Sequence, residues 1–139
     1  MNFLLDTNVV SEWVKPRPNP GVVAWLSCVD EDRVFLSVIT LTELRYGIER
    51  MMSGERRKRL TEWLEQEVPQ RFDKRILKVD LMVADACGKL VASAEAHGRR
   101  MEAMDALIAA TVIVHGLSLV TRDVSHFQFA IQAIVAPWT

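Results

Sequence analysis

Cysteine is scarce in this chain: Cys28 and Cys87 are the only two in 139 residues, far apart and outside any C-x-x-C spacing. That excludes a disulfide framework and the common zinc and dithiol motifs. Both lie in apolar helical surroundings, which predicts buried thiols and suits a reducing, cytoplasmic location. Long hydrophobic runs are missing too. The densest stretch, AMDALIAATVIVHG, carries an aspartate at its third position and falls short of the about 18 apolar residues a membrane span needs. The opening MNFLLD has neither the basic region nor the apolar core of a signal peptide. Charge of one sign is not in excess: 17 Lys and Arg stand against 18 Asp and Glu, for a net charge of −1. No global basic field therefore draws the chain onto nucleic acid, so such contacts must come from a local patch or a partner. No glycine-rich loop opens a helix as in a P-loop, and no serine or cysteine sits in a nucleophile elbow.

What is present is a hydrophobic half, enough for one ordinary domain spanning residues 1–139 with its own core. Asn2–Leu5 reads as a short buried strand, and RVFLS (33–37), RILKV (75–79), LSLVT (117–121) and IQAIV (131–135) read as four more. Between them the apolar spacing is helical. Val9, Val10, Trp13 and Val14 form the first stripe. Asn19 followed by Pro20 predicts a capped helix start after the turn KPRPNPG. TLTELRYGIERMM (40–52) and GERRKRLTEWLEQEV (54–68) follow as helices. Asp80 caps a long helix ending near Gly98, and EAMDALIAATVIVH (102–115) is closed by Gly116. Strands alternating with helices predict an α/β fold with a parallel sheet covered on both faces.

Acids fall where such a sheet binds ligands, at the C-terminal ends of its strands. Asp6 closes the first strand, and Asp123 follows LSLVT after one further residue. Asp105 shares a helix stripe with Met101 and Ile108. An ionised carboxylate there costs several kcal/mol unless paired or bound to a cation, or unless it caps a helix that starts late. Glu43 has two readings as well. Thr40 and Glu43 fit a capping box, or the carboxylate joins the other acids. Like charges held together destabilise a fold unless a cation neutralises them, and oxygen-only ligands favour Mg²⁺ or Mn²⁺ over zinc. Thr7 and Asn8 add small hydrogen-bonding groups at the head of a helix whose N-terminus favours negative charge. The histidines read as structural: His97 and His115 lie near helix C-termini, and His126, three residues beyond Asp123, is structural or approaches the acids.

The segments LLDTNVVSE, SVITLTELRYGI, AMDALIAATVIVHGLSLVTRD and HF together resemble the PIN-domain ribonucleases, in particular the VapC/FitB branch of toxins from bacterial toxin–antitoxin pairs. The resemblance runs from Asp6 to Phe127 and implies a PIN-like three-layer α/β/α sandwich with a central parallel sheet. It further implies an endoribonuclease dependent on Mg²⁺ or Mn²⁺, with Asp6, Glu43, Asp105 and Asp123 as the acidic site. On that pattern Asp6, Asp105 and Asp123 are the principal metal ligands. Glu43 completes the set, overriding its capping reading. Thr7, Asn8 and Thr121 hold the carboxylates in place. Two-metal sites of this chemistry set their ions about 3.5–4 Å apart.

Among the basic residues, Arg99 and Arg100 precede the helix bearing Asp105, and Arg122 precedes Asp123. These three are the candidate RNA contacts. The run Arg56, Arg57, Lys58 and Arg59 reads as a solvated helix face or as a rim contacting RNA phosphates, for which Arg99 and Arg100 are better placed. The resemblance implies a cognate antitoxin laid along a groove near the first helices with a basic side chain at the acidic site, DNA reached only through that antitoxin, tRNA as a substrate to consider, and a homodimer. Trp13 and Trp63 fit either core or interface. The competing function is a regulatory binding partner of a DNA-binding antitoxin with little nuclease activity. A metal-dependent phosphatase or a phospho-accepting domain fits less well, because no DxD follows the first strand and no lysine follows LSLVT.

Overall fold

Five short strands form one parallel sheet in the order β3-β2-β1-β4-β5. They are β1 (Phe3–Leu5), β2 (Val34–Ser37), β3 (Ile76–Leu77), β4 (Ser118–Val120) and β5 (Ile134–Val135). The computed structural model describes residues Met1–Thr139. Helices α1 (Thr7–Glu12), α2 (Pro20–Cys28), α3 (Val38–Glu49), α4 (Glu55–Glu62), α5 (Val68–Arg71), α6 (Leu81–Ala96), α7 (Ala103–His115) and α8 (Val124–Phe127) link and cover the strands. None is long and apolar enough to cross a membrane.

The strands alternate their side chains between two cores, as the pleat requires. Leu5, Val34, Leu36 and Val120 enter a cluster with Val9 and Val10 of α1, Val22 of α2, and Leu44 and Ile48 of α3. Leu4 and Leu119 enter the opposite cluster with Ala106, Ile108, Ala109 and Val112 of α7 and Phe127 of α8. Even the two-residue edge strands obey this, with Ile76 and Val135 on the first face and Leu77 and Ile134 on the second. The result is the expected three-layer α/β/α sandwich. It carries every strand's C-terminal end to one rim, and with it Asp6 and the turn that leads to Asp123.

Local chemistry sets the element ends. Asn19 Oδ1 accepts from the Gly21 and Val22 N–H groups, with Pro20 opening α2. Asp80 caps α6 through the Val83 N–H. Gly116 ends α7 with φ 62°, in the left-handed region that glycine tolerates best. Trp13 lies partly buried against Phe72 (5.8 Å between ring centroids) with the Arg71 guanidinium 4.5 Å from its own centroid. Trp63 packs on the same core.

Several expectations are corrected. Helix α3 starts at Val38, not Thr40, because Ser37 accepts the Ile39 N–H and takes the cap. Thr40 is consequently inside the helix, fully buried, with no partner for its hydroxyl, and the Thr40–Glu43 capping box does not form. The helix expected at 54–68 is α4 followed by a π-helical turn at Trp63–Glu67, which runs on into α5. Cys28 is exposed at the end of α2, and Cys87 is partly buried. Helix α8, one turn long, has too few residues to show a period.

Gly21 has a specific reason to be glycine. A Cβ there would lie 2.1 Å from the Pro137 carbonyl oxygen and 2.7 Å from Thr139 Cγ2. The C-terminal segment is tied over α2 at this point, with Asn19 Nδ2 donating to the Thr139 carbonyl and the Thr139 N–H donating to Asn19 Oδ1. In an ordinary helix Gly→Ala gains about 1 kcal/mol. Here Gly21→Ala is expected to destabilise by about 1–3 kcal/mol through overpacking, and a thermal melt measures it.

Candidate active site

The rim holds a cavity of about 330 Å³ lined by all four candidate acids, Asp6, Glu43, Asp105 and Asp123. They arrive on four separate segments: the end of β1, the middle of α3, the first turn of α7 and the head of α8. Lys15, Arg122 and Trp138 complete much of the wall.

Asp6 is the most firmly held. It caps α1, its Oδ1 accepting the Thr7 N–H at 2.8 Å, while Oδ2 accepts the Thr121 hydroxyl at 2.8 Å and the Asn8 amide at 3.4 Å. Thr121 is fully buried, and its oxygen also accepts the Asp123 N–H at 3.0 Å. Its proton is thereby committed to Asp6. Asn8 is the second clamp. Its Nδ2 reaches Asp123 Oδ2 at 3.2 Å, and its Oδ1 accepts the Arg122 N–H at 3.2 Å. One neutral amide thus stands between two carboxylates, offering each a partly positive hydrogen.

Glu43 points away from its own helix start and accepts the Thr7 hydroxyl at 2.5 Å. Thr7 therefore anchors Asp6 through its backbone and Glu43 through its side chain. Asp105 sits in the first turn of α7, two residues past the helix start and without a capping bond. It neither opens the helix nor faces fully inward: 28% of its side chain is exposed, and Oδ2 lies 3.4 Å from His126 Nδ1. His126 reads as structural in the sequence, although its spacing from Asp123 also lets it approach the acids, and the fold brings it to Asp105. It stands three residues after Asp123 on α8, and only the existence of that helix turns it toward Asp105.

The electrostatics are those of a crowded anionic site. Burial pushes the Asp6 carboxyl above its ordinary value, and the charge of Asp123 adds to this against the opposing bonds from Thr121 and Thr7. Burial likewise raises Glu43, helped by Asp6, Asp105 and Glu102 and opposed by the Thr7 hydroxyl. Asp105 is raised by burial, then by Asp6, with His126 opposing and Glu102 and Asp123 adding to the rise. Glu12, at the cavity edge, behaves oppositely. Burial alone would raise it, but bonds from Lys15 and the Asn19 N–H, with the charges of Lys15 and Arg122, hold it below the ordinary range.

The basic candidates separate. Arg122 lines the carboxylate cavity, whereas Arg99 and Arg100 line a neighbouring cavity of about 450 Å³. Within the run 56–59, Arg57 pairs with Glu49 at 3.3 Å, and Arg56 lines an apolar groove with Leu44, Ile48, Met51, Leu60 and Trp63. That groove shares Thr7, Ser11, Lys15 and Glu43 with the carboxylate cavity.

The PIN-domain pattern matches residues 3–131. The chain belongs to the PIN-domain family. This PIN domain is 42% identical over 136 residues to Toxin FitB of Neisseria gonorrhoeae, with 98% of each chain covered. It is 38% identical over 136 residues to VapC ribonuclease Y4jK of Sinorhizobium fredii, covering 98% of this chain and 97% of that one. Its fold superposes on that of a chain in the structure of FitAB bound to IR36 DNA fragment with a TM-score of 0.91 at 39% identity, covering 99% of this chain and 96% of the other.

Whether this PIN domain suits a hard divalent cation turns on its donors. They are carboxylate oxygens alone, three of them raised by burial and all four lining one cavity, which is the chemistry Mg²⁺ and Mn²⁺ prefer. No three Asp, Glu, His or Cys side chains stand close enough to hold one ion together as they are placed. Charge and donor type fit the ion.

Proposed function

We propose that this chain is the toxin of a toxin–antitoxin pair and an endoribonuclease that works with Mg²⁺ or Mn²⁺. The observation that carries the reading is the set of four carboxylates, delivered by four segments of a PIN fold to one cavity at the sheet rim. Asp6, Asp105 and Asp123 would hold the ion, with Glu43 completing the set or orienting the attacking water. Bound there, the ion supplies Lewis acidity, lowering the pKa of water and stabilising charge on phosphate oxygens. The chain's own groups do the rest. Thr121 and the Thr7 N–H keep the Asp6 carboxylate in one orientation, the Thr7 hydroxyl does so for Glu43, and Asn8 for Asp123. Lys15 and Arg122, on the cavity wall, meet the charge of an incoming phosphodiester.

The apolar groove continuing from the cavity suits an antitoxin segment. Such a segment would lie against Leu44, Ile48 and Trp63 and reach the carboxylates with a basic side chain. A homodimer, a cytoplasmic location and structured RNA such as tRNA as substrate belong to the same reading. The likeness to a FitAB structure on DNA also favours a second role, as the partner through which a DNA-binding antitoxin is regulated. Purified wild-type chain incubated with total cellular RNA separates the two. Cleavage that needs Mg²⁺ or Mn²⁺, stops with EDTA and is lost in Asp6→Ala supports the nuclease. A wild-type chain that cuts nothing, while its partner complex binds DNA tightly, leaves only the regulatory role.

A further inference from the structure

Beside the carboxylates lies the cavity of about 450 Å³ at Arg99, Arg100, Ser125, His126 and Phe129. It is the larger of the two, and Asp105 is the one residue that lines both. Its floor is unusual for a solvent-facing hollow. The Arg99 guanidinium carbon lies over the Phe129 ring, 5.1 Å from the centroid, so a planar cation and an aromatic ring stand together as a platform. Arg100 is exposed beside it. Ser125 and His126, on α8, face the same space from the far wall, and His126 is 57% exposed. Cations, hydroxyl and imidazole donors and a stacking surface are the groups that bind an unpaired nucleotide: phosphate to arginine, base to an arginine or aromatic plane.

We propose that this cavity is the subsite for the nucleotide adjoining the scissile phosphate, gripped at its phosphate by Arg100 and stacked on the Arg99–Phe129 platform. The assignment rests on the endoribonuclease reading above and extends it. The platform accepts a base only when that base is free of a duplex, so the subsite selects RNA unpaired next to the cut. An RNA strand entering here crosses Asp105 to reach Asp6 and Asp123, which sets its course along the rim from α7 toward α1. Glu102 on the cavity edge opposes non-specific retention of phosphate, so the stacking contact carries much of the hold.

Two measurements test this on the full chain. Steady-state cleavage of a short single-stranded RNA compares wild type with Arg100→Ala, Arg99→Ala and Phe129→Leu, the last keeping apolar volume while losing the ring. Each should raise KM by about tenfold, in keeping with the loss of one stacked or phosphate contact, while kcat stays within about threefold of wild type. Binding of the same fluorescent RNA to the Asp6→Ala chain needs no cleavage. There Arg100→Ala should lower the slope of log K against log salt by about 0.7, the single-strand value for one phosphate. Duplex RNA should bind more weakly than single strand, and Phe129→Leu should erase that difference. The assignment fails if KM and the salt slope are both unchanged, or if kcat falls at constant KM. It fails equally if the variants weaken antitoxin binding and not RNA binding, since the cavity then belongs to the partner. Were the wild-type chain to cut no RNA, the endoribonuclease reading would fall, and the binding arm would still decide the subsite.

Discussion

Asp105→Asn is expected to abolish RNA cleavage while leaving the melting temperature unchanged or higher. Asp105 accepts no hydrogen bond that an amide oxygen could not, and its one close partner is the exposed imidazole of His126 at 3.4 Å. Surface pairs of this kind contribute little to stability. Against that small loss stands relief from burial and from the charges of Asp6, Glu102 and Asp123, all of which push its carboxyl upward. A raised carboxyl means that the folded chain binds more protons than the unfolded one. Stability measured in EDTA therefore falls as pH rises from the ordinary carboxylate value through the raised one. Below the ordinary value both states are protonated and the effect vanishes. Asp6 and Glu43 add to the same decline, whereas Glu12, held low, contributes stability that is lost on acidification through its depressed value. Melting curves across pH should show a shallower decline for Asp105→Asn than for wild type. An unfolded mutant would mean that Asp105 is structural and that the site assignment is wrong.

Thr121→Val should have the second-largest effect, and on both stability and activity. Valine matches the shape of threonine but takes away the one hydroxyl that serves Asp6 and Asp123 together. Asp6 Oδ2 keeps only the long bond from Asn8, and the Asp123 N–H loses its acceptor. Leaving the buried Asp6 oxygen without that donor costs about 1–3 kcal/mol. Loss of a partner that orients a metal-binding carboxylate typically lowers affinity or activity by about 10–100-fold. The Asp6 carboxyl also loses a bond that holds it down, so the pH at which divalent ions support cleavage should move upward. Thr121→Ser, which keeps the hydroxyl, should recover most of both losses. Equal damage from serine and valine would point to packing of the methyl group and not to the hydrogen bonds.

What was legible in the sequence follows from the range of each interaction. The apolar runs in NFLL, RVFLS and LSLVT read as buried strands, because the signal lies within each segment. Asp6 and Asp123 were placed at the rim by the same local logic. Asn19 and Asp80 were visible as caps because their partners lie two or three residues away. For Glu43 the spacing alone leaves two readings open, and only the family resemblance favours the acidic site. A local capping pattern was available, but Ser37 competes for the helix start, and the true partner, Thr7, is 36 residues distant. For His126 the spacing from Asp123 shows only that it can approach the acids; a four-residue helix leaves no periodic trace to say that it meets Asp105. Trp138 and Lys15 reach the cavity wall through long-range packing of the C-terminal segment and the turn after α1, which no spacing rule encodes.

The clamp between the two ends of the chain has a consequence for biosynthesis. Asn8 reaches Asp123, and Thr121 reaches Asp6, each across 115 residues, and β1 pairs with β4 residue for residue from Phe3 with Ser118 to Leu5 with Val120. During translation β1 can pair early with β2, but its other edge waits for nearly the whole chain. Pairings of such long sequence separation form late because the loop they close must first be ordered. A half-made chain therefore leaves Asp6 without the Thr121 hydroxyl and has no complete acidic cavity. On the proposed function, cleaving activity would arise only as the final helices and strands leave the ribosome. A cell making such a toxin would gain an interval, set by the clock of translation and last-stage folding, in which a co-translated antitoxin could be waiting when the acidic cavity closes.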